Sequence, residues 1–162
     1  MSIPRAVVAL VMLASAVVLA PRPASAGDRH AGYYYPEPAT HEVYEARATT
    51  LPEANREVRL GFVVGVTQTL LRQPYAPAFV IFAKGDEAEK MIIVGLAEGY
   101  MNTLYRARAV LAMLTAVARS TRFLNERGVA EYLTFFDLAK LLGFTRITIS
   151  DGRTFAHQIT IR

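Results

Sequence analysis

The sequence predicts an α+β domain: a small antiparallel sheet from two hairpins, packed against two main helices. Two observations carry this expectation. Four short β-rich runs fall into two neighbouring pairs, 78–82 with 91–94 and 144–149 with 153–161, each joined by a polar turn. Two longer stretches, 52–72 and 102–119, repeat apolar residues at helical spacing. A signal peptide and an extended arm are expected to precede the domain.

Residues 1–26 read as a cleavable secretory leader. The basic start Met1-Ser-Ile-Pro-Arg5 runs into the apolar stretch 6–20, then Pro21, Pro23 and the small-x-small site Ala24-Ser25-Ala26. Its 15 apolar positions are fewer than the roughly 20 that span a bilayer. No twin arginine precedes the run and no cysteine follows it. The expected location is therefore periplasmic or secreted, by the general secretory route.

Removing 26 residues from 162 leaves 136, enough for one domain with a proper core. Arg5 and Arg22 leave with the leader, so 16 basic residues face 14 acidic ones and the balance falls from +4 to +2. No basic block interleaved with aromatics points to nucleic acid. The chain has no cysteine, so disulfides, thiol catalysis and cysteine metal sites are excluded.

Residues 27–50 form a polar, aromatic arm, and the domain proper is expected over 51–162. Pro36 and Pro38 oppose helix in the arm. Tyr33, Tyr34 and Tyr35 are together too apolar to stay solvated. They are expected to dock on the body, on a partner or on a second copy.

Thr50-Leu51-Pro52-Glu53 has the form of a capping box with proline in the first turn, and predicts a helix to about Arg72. Leu60, Val63, Val64, Thr67, Leu70 and Leu71 mark its apolar side. A strand at 58–66 is the rival reading, because Gly61, Gly65 and the valines weaken a helix. Pro74 and Pro77 end this segment. The first hairpin follows, with Lys84-Gly-Asp-Glu-Ala-Glu89 as its charged turn.

The 102–119 segment carries two stripes, Leu104, Leu111, Leu114 and Ala118 beside Val110, Met113 and Val117, and is expected to pack on more than one side. A short helix is expected from Thr121 to Arg127, ended by Gly128. Another is capped by Thr134 and stopped at Gly143. The last hairpin turns at Ser150-Asp151-Gly152. A three-residue loop would pair Ile147 with Phe155 and put His157, Ile159 and Ile161 on the same face.

Arg106 is the leading candidate for binding. It continues the stripe of Val110, Met113 and Val117, where a guanidinium needs a carboxylate such as Glu98 or Asp137, a carbonyl, or an anionic ligand. His157 is the second candidate; with Asp151, and Ser150 nearby, it suggests a hydrolase-type alternative, though no Gly-x-Ser-x-Gly elbow exists. His30 and His41 have no compact metal spacing. Asp86, Glu87 and Glu89 read as a solvated turn, since their spacing departs from a calcium loop. No catalytic residue, metal or cofactor is assigned.

Four stretches carry a resemblance: Ala31-Gly-Tyr-Tyr-Tyr-Pro-Glu-Pro38, Phe82-Ala-Lys-Gly-Asp-Glu-Ala-Glu-Lys90, Thr103-Leu-Tyr-Arg-Ala-Arg-Ala-Val-Leu111 and Ser150-Asp-Gly-Arg-Thr-Phe-Ala-His157. Together they resemble a family of small exported alphaproteobacterial proteins, over most of the chain beyond the leader. Some members carry the label molybdopterin-guanine dinucleotide biosynthesis protein A, and the resemblance implies a role of that kind. The nucleotidyltransferases that make that cofactor open on a glycine-rich Leu-Ala-Gly-Gly-x-Ser-x-Arg loop. This chain has no such stretch, so the resemblance brings over no catalytic residue. The residues themselves point to a binding or accessory module of the cell envelope. Its expected partner is a protein or small ligand, with a homo-oligomer as a further option.

Overall fold

The structure, a computed structural model, describes residues 35–120, 122–126, 128, 131 and 133–162. The leader, Tyr33 and Tyr34 lie outside the described residues. The elements are β1 (Thr40–Tyr44), α1 (Arg56–Leu71), β2 (Phe79–Lys84), β3 (Lys90–Gly95), α2 (Leu104–Arg119), α3 (Arg122–Asn125), α4 (Phe135–Leu141), β4 (Arg146–Ser150) and β5 (Ala156–Ile161). The class is α+β.

Both hairpins form, β2 with β3 and β4 with β5, and both are antiparallel. They join into one five-stranded sheet of order β1-β5-β4-β3-β2. That sheet is mixed rather than purely antiparallel. The helical segment between β3 and β4 crosses over and returns β4 parallel to β3. The fifth strand comes from the arm: β1 lies parallel to β5 along the edge, Thr40 beside His157 and Tyr44 beside Ile161. The expected boundary at residue 50 therefore falls after a strand of the sheet.

One sheet face carries Ile81, Met91, Ile93, Ile147, Ile149, Ile159 and Ile161, which meet α1, α2 and α4 in the main core. The opposite face holds a smaller cluster, in which Tyr35 packs on Ile92 and Ala156.

Residues 58–66 are helical, which decides against the strand reading. Phe62, Val63 and Val66 reach the core at helical spacing. The helix begins at Arg56, capped by Asn55, whose Oδ1 accepts from Val58 N at 3.0 Å. Thr50 does not cap it. Its hydroxyl donates to Lys140 O at 3.1 Å, and Leu51 N donates to Leu141 O at 2.9 Å. Residues 50–54 are thereby docked on α4 and are not free to wind as a first turn.

The β4–β5 register also differs from expectation. Ile147 pairs with Ile159, and Ile149 with His157. The slip from Phe155 to Ile159 is four positions, an even number, so the expected face assignment survives. The loop widens because Asp151 organises it. Asp151 Oδ1 accepts from the backbone N–H groups of Arg153, Thr154 and Phe155 at 2.8–2.9 Å, and Oδ2 accepts from Thr154 Oγ1 at 2.8 Å.

Burial pushes the Asp151 carboxyl up, but the hydrogen bonds from Phe155, Arg153 and Thr154 outweigh it and bring it down to about 2. A depressed carboxyl stabilises the fold above its ordinary pKa of about 3.9, and that contribution is lost as pH falls toward about 2. Asp151→Ala should cost about 1–2 kcal/mol at neutral pH, the scale of a few partly exposed hydrogen bonds. Urea denaturation at stepped pH should show the gap from wild type closing between about pH 4 and pH 2. A gap that persists unchanged at pH 2 would sink this reading.

Candidate functional site

The loop after β3 turns at Gly99, whose φ of +70° is a left-handed conformation suited to glycine. Met101, fully buried, pins the loop to the core. Thr103 then caps α2 through Oγ1, which accepts from Arg106 N at 3.3 Å. Arg106 thus sits in the first turn of α2, beside the loop.

Its side chain is exposed, not buried at the end of a core stripe as its spacing suggested. Arg106 Nη1 donates to Gly99 O and to Asn102 Oδ1, the latter at 3.1 Å. Of the partners its position called for, the structure supplies a carbonyl. Among the described residues, no carboxylate forms an ion pair with it.

The stripe itself is real. Arg106, Ala109, Val110 and Met113 line one wall of a groove of about 380 Å³. Val110 is buried, while Met113 is 43% exposed. Tyr100 forms the facing wall and stacks on Phe79, ring centroids 6.5 Å apart. Glu98 and Gly99 complete the rim. A groove of this size and lining falls within the range of small-molecule sites. It can take an apolar body, with Arg106 offering charge-assisted hydrogen bonds to an anionic end.

A second, more polar groove of about 410 Å³ shares Glu98 and Gly99 and includes Asn102 and Arg153. Asp151 lines it, but with its carboxylate committed to its own turn.

His157 lies elsewhere, on the helix-facing side of β5, and is 2% exposed. Thr40 Oγ1 lies 2.8 Å from its Nδ1. Glu42 Oε1 lies 3.3 Å from Nε2, without the alignment of a full hydrogen bond. Glu42 continues to Arg108, Oε2 to Nη2 at 2.8 Å. Burial pushes the Glu42 carboxyl up, yet His157 and Arg108 prevail and hold it below its ordinary value. The structure gives His157 these partners and gives Asp151 others, so the two are not brought together as a pair. Ser150 is buried too. Its hydroxyl donates to Phe155 O at 2.7 Å and accepts from Gly152 N at 2.9 Å.

Of the tyrosine trio, Tyr35 is 6% exposed and docks on the body of the domain. It clusters there with Ile92 and Ala156.

One charged residue of structural weight, Arg59, escaped the sequence reading; a second, Asp137, does not pair with Arg106 but belongs to the Thr134 cap. Arg59 is the one buried arginine among the described residues, 6% exposed. Its Nε donates to Glu87 O at 2.7 Å and Nη1 to Leu142 O at 3.4 Å. The signal was available, since Arg59 shares a helical stripe with Phe62, Val63 and Val66, as Arg106 does with Val110 and Met113. Asp137 is fully buried and closes the capping box with Thr134. It also accepts from Arg47 N at 2.8 Å, which ties the arm to α4. Burial pushes its carboxyl up, but the bonds from Thr134 and Arg47 hold it below the usual range.

Among the described residues, no group of three His, Asp or Glu is placed to hold a metal ion. No helix among them is long and apolar enough to cross a membrane. The chain matches no protein-family model, no curated protein and no solved structure.

Proposed function

We propose that the chain is an exported, non-enzymatic binding module, and that its ligand is a small amphiphilic anion held in the Arg106 groove. The observation that carries this reading is a cationic guanidinium on the rim of an apolar groove, with no carboxylate paired to it among the described residues. The export-type leader is consistent with a role in the cell envelope. His157 and Tyr35, candidates for contact on sequence grounds, are buried, so the reading rests on Arg106.

The test compares decanoate with decanol by isothermal titration calorimetry on the protein purified from its host. Decanoate should bind about 10-fold more tightly, because a charge-assisted hydrogen bond is worth about 1.5–3 kcal/mol. Arg106→Gln should remove that preference and leave decanol binding unchanged. Equal affinities in the wild type, or a preference untouched by Arg106→Gln, would overturn the proposal.

A further inference from the structure

The groove that Arg106 rims carries a second charge. Glu98 lines it too, and is exposed. The loop sets the two close together. Arg106 Nη1 donates to the carbonyl of Gly99, the residue next to Glu98. A Cβ added at Gly99 would lie 3.2 Å from Nη1, so glycine here lets the guanidinium rest against the loop. Yet the two charges do not pair. Among the described residues no cation forms an ion pair with Glu98, neither Arg106 nor Arg153 of the adjoining groove. A cation and an anion thus stand unpaired on one rim, beside an apolar wall of Val110 and Met113 faced by Tyr100.

We infer, resting on the Arg106 reading, that the ligand is a free α-amino acid with a large apolar side chain. Its carboxylate meets Arg106, its ammonium meets Glu98, and its side chain lies between Met113 and Tyr100. Charge is the first reason. A simple carboxylate brought to Arg106 also comes near the Glu98 carboxylate, and like charges repel. An ammonium on the adjacent carbon turns that repulsion into attraction. The adjoining groove shares Glu98 and sets Asp151 beside Arg153, two carboxylates against one guanidinium, so the ammonium end belongs on that side.

Size is the second reason. At about 380 Å³ the groove is at the small end of ligand sites, suited to one amino acid rather than a peptide. Glu98 and Arg106 flank Gly99, and a free amino acid carries both its charges on one carbon, whereas a peptide separates its termini. The lining is the third. Tyr100, stacked on Phe79, and Met113 present a ring and a thioether, surfaces that favour an aromatic side chain.

The test is isothermal titration calorimetry with L-phenylalanine and hydrocinnamate, which share the apolar body and the carboxylate and differ only in the ammonium. L-Phenylalanine should bind about 10-fold more tightly, the scale of one charge-assisted hydrogen bond. Glu98→Gln should abolish that gain, with hydrocinnamate binding no more weakly than before. Glu98 is exposed, so the circular dichroism spectrum should not change. N-Acetyl-L-phenylalanine, whose ammonium is blocked, should bind like hydrocinnamate. Equal affinities for L-phenylalanine and hydrocinnamate would overturn the inference, as would a gain that survives Glu98→Gln. Both failures are distinct from that of the Arg106 reading, which shows as equal affinities for decanoate and decanol and overturns the two together.

Discussion

Residues 51–162, expressed without the segment before them, should fail to give a cooperative unfolding transition. The arm reads as an appendage in the sequence, yet its C-terminal half is built into the domain. β1 closes the sheet edge beside β5. Tyr44 packs on Phe136 with ring centroids 4.5 Å apart, and its hydroxyl lies 3.0 Å from Thr134 Oγ1. Arg47 N satisfies one oxygen of the buried Asp137. Thr40 and Glu42 are the partners of the buried His157.

Truncation at residue 50 removes all of these at once. It strips polar partners from Asp137 and His157, each worth about 1–3 kcal/mol when a buried group is orphaned. It also uncovers apolar surface beneath Tyr44, worth about 1.5–3 kcal/mol. Three losses of this size approach a domain's whole stability of about 5–15 kcal/mol. Urea denaturation followed by far- and near-ultraviolet circular dichroism is the check. A sharp transition within about 1 kcal/mol of the longer chain would show that the sheet needs no β1.

Arg59→Met should lower the unfolding free energy by about 2–4 kcal/mol, more than any change at Arg106. Arg59 reaches from α1 to two distant segments. Its guanidinium meets Glu87 O in the β2–β3 turn and Leu142 O at the end of α4, and Glu87 Oε2 lies 3.7 Å from Nη2. Methionine keeps the hydrophobic stem but strands these carbonyls, at about 1–3 kcal/mol for each one left buried and unpaired. Arg59→Lys should recover less than half of the loss, because a single ammonium cannot span both carbonyls as the planar fork does.

The surroundings are shaped to the guanidinium. At Gly143, with φ of +79°, an added Cβ would lie 2.7 Å from Arg59 Nη1. The midpoint of urea unfolding measures the effect. An Arg59→Met variant within about 0.5 kcal/mol of wild type would show the buried arginine to be dispensable.

Local signals carried much of this protein into view from the sequence. The Thr134 cap, the Gly143 stop, the two hairpins and the helical periodicity of 104–119 each depend on residues within a few positions of one another. Short-range sterics and hydrogen bonds write them directly into the chain. The even register slip at β4–β5 left every face assignment intact for the same reason: alternation along a strand is a local property. Even the groove was half legible, since Arg106, Val110 and Met113 share a face by spacing alone.

What the tertiary structure decided is which distant groups meet. Thr50 looks like a helix cap, but it bonds Lys140 across the fold. Two hairpins read as one antiparallel sheet, but the direction of β4 depends on how three helices return the chain. Arg59 and Arg106 carry the same local pattern of a cation on an apolar stripe. One is enclosed by the β2–β3 turn and the end of α4; the other opens onto a groove. Burial is set by segments 28 to 83 residues away in the case of Arg59. No periodicity within a helix holds that information, because long-range contacts are chosen by the packing of the whole core.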